Sequence, residues 1–177
     1  MSEIIPALLP KNSRELKKSL SELPLEARLV HLDILEKDVW TPIDRDFEVH
    51  LMVKKPEEIV QRWIGRGAKR IIAHKYIDLA GAAQFGLAFE LNKDIENFEN
   101  VDFFHLMSIA EIGEQGHPLD EQIFDRIKEV RAKFPQVAIS VDGGINTENY
   151  RKLQDAGADR LIVGSGFTKL WKSLTKN

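Results

Sequence analysis

The chain has 177 residues, 43% of them apolar, enough for one sizeable buried core, and no Ser/Gly/Pro-rich linker or composition shift divides it. Residues 1–177 therefore read as a single domain. A net charge of -3 with Lys, Arg, Asp and Glu interspersed leaves no basic stripe for nucleic acid and no polybasic run for a membrane. The absence of Cys, the short uncharged stretch Leu79 to Phe89, and an N-terminal segment unlike a signal peptide make the cytoplasm the expected address.

Short apolar runs alternate with charged amphipathic stretches, the pattern of a parallel α/β protein. In chain order the predicted strands are Ile4 to Leu9, Arg28 to Leu35, Phe47 to Val53, Arg70 to His74, Gly86 to Leu91, Phe103 to Ile109, Val137 to Asp142 and Arg160 to Gly164. The predicted helices are Ser13 to Ser21, Pro56 to Arg66, Asp120 to Phe134 and Thr147 to Ala156, each opened by a capping residue or proline. Two of them end on the same punctuation, Gly67-Ala68-Lys69 and Gly157-Ala158-Asp159, where glycine supplies a left-handed residue.

Only residues 36 to 46 separate the second and third strands, and the segments after the fourth and fifth strands are about as short. A parallel crossover needs about a dozen residues or more. The expected fold is thus a small (β/α)8 barrel whose second helix is missing or a single turn and whose fourth and fifth are shortened. Such barrels usually run from about 200 residues upward. Strands left without a covering helix would expose apolar side chains, so self-association into a homo-oligomer is expected there.

Residues two apart on a strand share a face, which places His31 with Asp33 and His50 with Met52. Asp142 ends an apolar run and is followed at once by Gly143-Gly144, a usual place for a site residue at the top of a barrel strand. His31, Asp33, His50 and Asp142 would bring two imidazoles and two carboxylates to one point. That mixed set suits a divalent Zn, Fe, Mn or Co with positions left for substrate oxygens. Burying the two carboxylates without a cation would be costly.

Glycine-rich turns and helix N-termini bind phosphate through backbone N–H groups. Three turns qualify: Gly113-Glu114-Gln115-Gly116 after the sixth strand, Gly143-Gly144 after the seventh and Gly164-Ser165-Gly166 after the eighth. In phosphate-binding barrels the last two positions usually do this work.

Together, His31-Leu-Asp33, Phe47-Glu-Val-His50-Leu-Met52-Val53, His105-Leu-Met107-Ser108, Ile139-Ser-Val-Asp142-Gly-Gly-Ile-Asn146 and Ala156-Gly-Ala-Asp159 running on to Gly164-Ser165 resemble the ribulose-phosphate 3-epimerases. The resemblance spans nearly the whole chain in the family's order. It implies a metal-dependent (β/α)8 enzyme that interconverts D-ribulose 5-phosphate and D-xylulose 5-phosphate. Carried over, His31, Asp33, His50 and Asp142 are the metal ligands, with Asp33 and Asp142 also the acid/base pair acting through a metal-stabilised enediolate. His50, Met52, Met107, Gly113, Glu114, Gln115, Gly116, Gly143, Gly144, Gly164 and Ser165 would contact the sugar phosphate. His74 matches a family histidine near the site and is assigned a structural role.

The chain also departs from the family pattern. The family's Pro-Ser-x-Leu on the first strand is Pro6-Ala7-Leu8-Leu9 here, so a substrate-contacting hydroxyl is gone. Leu35 stands where the family has Met after His-x-Asp, and Glu36-Lys37 replaces its acidic-Gly pair. The Pro-Gly-Phe-Gly-Gly-Gln lid is matched only loosely by residues 112 to 117, and Glu114 would set a negative charge near the phosphate. A 3-epimerase of a ketohexose 6-phosphate such as allulose 6-phosphate, and a non-catalytic sugar-phosphate-binding barrel, are the competing readings. A decarboxylase or aldolase with an Asp-x-Lys-x-x-Asp site is disfavoured, because Asp33-Ile-Leu-Glu-Lys37-Asp38 has the wrong spacing.

Overall fold

The computed structural model describes residues 2–35, 38–95, 100–109 and 115–175. Eight parallel strands close into a barrel in sequence order: β1 (Glu3–Leu8), β2 (Leu29–Ile34), β3 (Asp46–Leu51), β4 (Arg70–Ala73), β5 (Gln84–Phe89), β6 (Phe103–Met107), β7 (Ala138–Asp142) and β8 (Arg160–Val163). Closure comes from β1 pairing with β8, Glu3 opposite Arg160 and Pro6 opposite Val163.

Around the barrel lie α1 (Ser13–Glu22), α2 (Val60–Gly65), α3 (Gln122–Lys133), α4 (Tyr150–Ala156) and α5 (Phe167–Leu174). Asn12 caps α1, its side chain accepting from the Glu15 backbone N–H at 2.9 Å. The stretch Pro56 to Arg66 divides into a 3-10 turn at Pro56–Glu58 and then α2. Gly67 and Gly157 have φ of 98° and 112°, the left-handed stops that the repeated punctuation implied. The sequence reading missed α5, although Phe167, Leu170 and Trp171 recur at helical spacing and the first two are buried.

Among the described residues no helix follows β2, and the connections after β4 and β5 are reduced to turns. The exposed strand faces expected there are not found. Outward residues of β2 to β5 such as Leu32, Val49, Leu51, Ile71 and Leu87 are all buried within the chain. Asp38 and Trp40 on the connecting coil do the covering together with residues of α2. Trp40 packs edge-on to Trp63 at 5.7 Å, and the Arg66 guanidinium lies 4.9 Å and 4.6 Å from the two ring centres. Asp38 grips both Arg62 and Arg66. Self-association thereby loses the bare apolar strands on which it was premised. Among the described residues no helix is long and apolar enough to cross a membrane.

Inside the barrel, Gly86 makes room for the Phe103 ring, which a Cβ there would meet at 2.3 Å. Arg160 stacks over that ring at 4.5 Å and pairs with Glu48, forming a polar floor beneath the functional end.

Candidate active site

Strand alternation aims four pairs of residues into the barrel: His31 and Asp33 from β2, Glu48 and His50 from β3, His105 and Met107 from β6, Ser140 and Asp142 from β7. The register sets His31 beside Glu48, Asp33 beside His50, His105 beside Ser140, and Met107 beside Asp142. The four expected ligands therefore meet at one point. Nε2 of His31 is 3.2 Å from Asp33 and 3.9 Å from Asp142, while Nδ1 of His50 is 3.7 Å and 3.8 Å from the same two carboxylates.

The imidazoles lie under the carboxylates. His31, His50 and His105 are fully buried, whereas the Asp33 and Asp142 side chains retain 11% and 13% exposure. Above them opens a cavity of about 260 Å³ lined by Asp33, Asp142, Met52, Met107 and the glycine turns. His50 is fully buried beneath this cavity and is not among its lining residues.

Burial alone would neutralise these groups, and their mutual attraction opposes it. Burial pushes the His31 pKa down, but Asp33 and Glu48 outweigh it and raise the group to about 10. His50 is also raised, against burial, by Asp142 and Asp33. Burial pushes both carboxyls up, yet His31 and His50 hold Asp33, and His105 and His50 hold Asp142, below the usual range. The carboxylates thus stay ionised and draw positive charge into the cluster.

Nδ1 of His50 is a buried nitrogen without a hydrogen-bond partner, aimed between the two carboxylates. Buried polar atoms are rarely left unmade. A cation at that point would satisfy it, and His31, His50, His105 and Asp142 offer donor atoms all within 4.8 Å of one another. The residues present fit a divalent metal.

Sequence reasoning passed over Glu48, His105, Ser108 and Ser140. Glu48, His105 and Ser140 each stand two positions before a residue it did select, so the same-face rule could have found them. Ser108 holds Asp142 in place, its N–H donating to the Asp142 carbonyl at 2.7 Å. His74, assigned a structural role, contacts His50 with its Nε2 3.0 Å away.

Lining the same cavity, Gly143 and Gly144 follow Asp142 directly with φ of 116° and 64°, and Gly164, Ser165 and Gly166 lead into α5. Gln115 and Gly116 also line the cavity, and the Gln115 amide donates to the Ala7 carbonyl at 3.3 Å. Gly113, Glu114, Glu36 and Lys37 lie outside the described residues.

The barrel is shared with enzymes of low sequence identity. A tryptophan synthase complex from Pyrococcus furiosus superposes with a TM-score of 0.64 at 13% identity, covering 97% of this chain and 90% of that one. The 3-hexulose-6-phosphate synthase from Salmonella typhimurium gives 0.65 at 15%, covering 94% and 90%. These likenesses establish the fold alone. The relatives at the sequence level are more specific. A ribulose-phosphate 3-epimerase from Mycoplasma pneumoniae is 30% identical over 199 residues, with 95% of this chain and 90% of the relative covered. One from Escherichia coli K12 is 26% identical over 200 residues, covering 92% and 87%. The model of the ribulose-phosphate 3 epimerase family matches residues 3–168. With that match spanning all eight strands and every residue of the His/Asp cluster, the chain belongs to the ribulose-phosphate 3-epimerase family and is a sugar-phosphate epimerase, an isomerase.

Proposed function

We propose that the protein inverts C3 of D-ribulose 5-phosphate to give D-xylulose 5-phosphate, with Asp33 and Asp142 moving the proton. The observation that carries this reading is that two carboxyl groups, from β2 and β7, face one cavity above a shared floor of imidazoles. Inversion requires one group to take the C3 proton and another to return one to the opposite face. The step needs one carboxyl ionised and the other protonated: ionised Asp33 takes the C3 proton on one side while protonated Asp142 donates its own on the other, and the roles exchange in the reverse direction. The electron pair left at C3 delocalises toward the C2 carbonyl as an enediolate.

A divalent cation, Zn, Fe, Mn or Co, held by His31, His50, Asp142 and Asp33 would supply Lewis-acid stabilisation of the charge on the sugar oxygens. Met52 and Met107 provide the apolar wall beside the reacting carbons. Gly143, Gly144, Gly164 and Ser165 receive the phosphate, with Gln115 and Gly116 beside it. The chain acts as one barrel domain, residues 1–177, in the cytoplasm.

The test is Asp142→Asn with metal content matched to the parent. The expected result is loss of epimerisation together with loss of solvent-deuterium incorporation at C3. Wild-type rates for both would overturn the two-carboxylate scheme. Turnover of allulose 6-phosphate measured alongside ribulose 5-phosphate decides between pentose and hexose substrates.

A further inference from the structure

We propose that His105 is a further protein ligand of the metal, so that three imidazoles, His31, His50 and His105, hold it together with the Asp33 and Asp142 carboxylates. The proposal rests on the reading of this cluster as a metal site, and adds a third ring to it.

Three observations carry it. First, His105 belongs with His31, His50 and Asp142 to a group whose donor atoms are mutually within 4.8 Å. Second, its Nε2 is 3.3 Å from the Asp142 oxygen that also lies 3.9 Å from His31 and 3.8 Å from His50, so all three rings address one carboxylate oxygen. Its ring stacks on His31 at 5.6 Å and meets His50 edge-on at 4.7 Å.

Third, each of the three rings is anchored from behind. Metal-bound histidines almost always give their other ring nitrogen to a second partner that fixes tautomer and direction. Nδ1 of His31 is held by Glu48 at 2.8 Å, Nε2 of His50 by His74 at 3.0 Å, and Nδ1 of His105 by Ser140 at 3.3 Å. In every case the remaining nitrogen points to the same centre. A histidine whose only task was to fill the barrel would not need the anchoring that the two expected ligands have.

Three nitrogen donors would favour Zn, Co or Fe over the oxygen-seeking Mg and Ca.

The experiment is X-ray absorption on the zinc-loaded protein, with the visible spectrum of the cobalt-loaded form and zinc affinity by chelator competition. The expected result is three imidazoles per zinc in the parent and two in His105→Leu. The leucine variant should also change the cobalt spectrum and lose more than the roughly 10–100-fold in affinity that removing an outer partner costs. Two imidazoles in the parent would overturn the proposal and leave the metal site standing, even if the variant fails to fold. A folded His105→Leu that binds more weakly with an unchanged imidazole count and cobalt spectrum would also overturn it, leaving His105 as a residue that orients Asp142. Failure of the parent to bind one zinc or cobalt would remove the metal reading and the proposal together.

Discussion

Nδ1 of His31 lies 2.8 Å from the Glu48 carboxylate, with both side chains fully buried, and Arg160 and Arg70 approach the same carboxylate from the far end of the barrel. Burial pushes Glu48 up, but His31, Arg160 and Arg70 hold it down at about 2. Removing one partner of such a buried pair strands the others. Glu48→Leu is expected to cost about 3–5 kcal/mol in denaturant unfolding. Glu48→Gln, which keeps an acceptor for His31, should unfold closer to the parent and weaken metal binding about 10–100-fold. Equal loss of stability in the two variants would show that the lost charge, not the acceptor for His31, carries the effect at this position.

Gly144 tests the glycine turn at the phosphate end. It has φ of 64°, and an added Cβ would stand 2.2 Å from the backbone nitrogen of Leu119. Gly81 has φ of 76° with nothing within 4 Å of that Cβ, and so isolates conformational strain from collision. Gly81→Ala should cost about 1–2 kcal/mol. Gly144→Ala should lower the melting temperature further and raise KM for the sugar phosphate, because the turn must move to clear Leu119. Matching melting temperatures for the two variants would count against the collision.

Trp63 has no exposed surface and anchors the side-chain layer that stands where a helix is absent. Trp63→Ala should destabilise by about 3–5 kcal/mol, measured by urea unfolding. A loss near 1 kcal/mol would mean that the loop can collapse into the space.

Asp38 gives a pH dependence. Partial burial is the largest single influence and raises its pKa, but Arg66 and Arg62 together outweigh it and hold the group below the ordinary value. A carboxyl lowered in the folded state adds stability above its unfolded pKa of about 3.9, and that stability is lost as pH falls through the lower folded value. Parent and Asp38→Asn should therefore differ in stability at pH 7 and converge as the pH falls below about 3.9, the gap being at most about 1 kcal/mol because Arg62 is half exposed. A pH-independent gap would remove the charge from the explanation.

Eight strands were legible because each is a short apolar run between punctuating residues, and glycines 67 and 157 marked the helix ends. The expected ligands were legible through period-two spacing within single strands. The Glu48–Arg160 pair was not, because it joins residues 112 apart and depends on barrel register that no local pattern carries. His105 was passed over for a different reason: as one residue of an apolar strand it looks like a core histidine, and only the neighbouring Ser140 and Asp142 of β7 distinguish it. Helix α5 was hidden by the reading of Gly164-Ser165-Gly166 as a turn alone. The side-chain cover of β2 and β3 escaped because aromatic packing from coil has no period.

The pairing of β1 with β8 also has a kinetic meaning. Glu3 sits opposite Arg160, so the last seam of the barrel waits on contacts between distant parts of the chain, and such topologies fold slowly. During synthesis Glu48 emerges long before Arg160, and until the eighth strand arrives its carboxylate has no Arg160 partner. The nascent protein would spend that interval with four imidazole- and carboxylate-bearing strands unable to settle into a common centre. Metal capture would accordingly be a late event in the life of each molecule, following ring closure instead of guiding it.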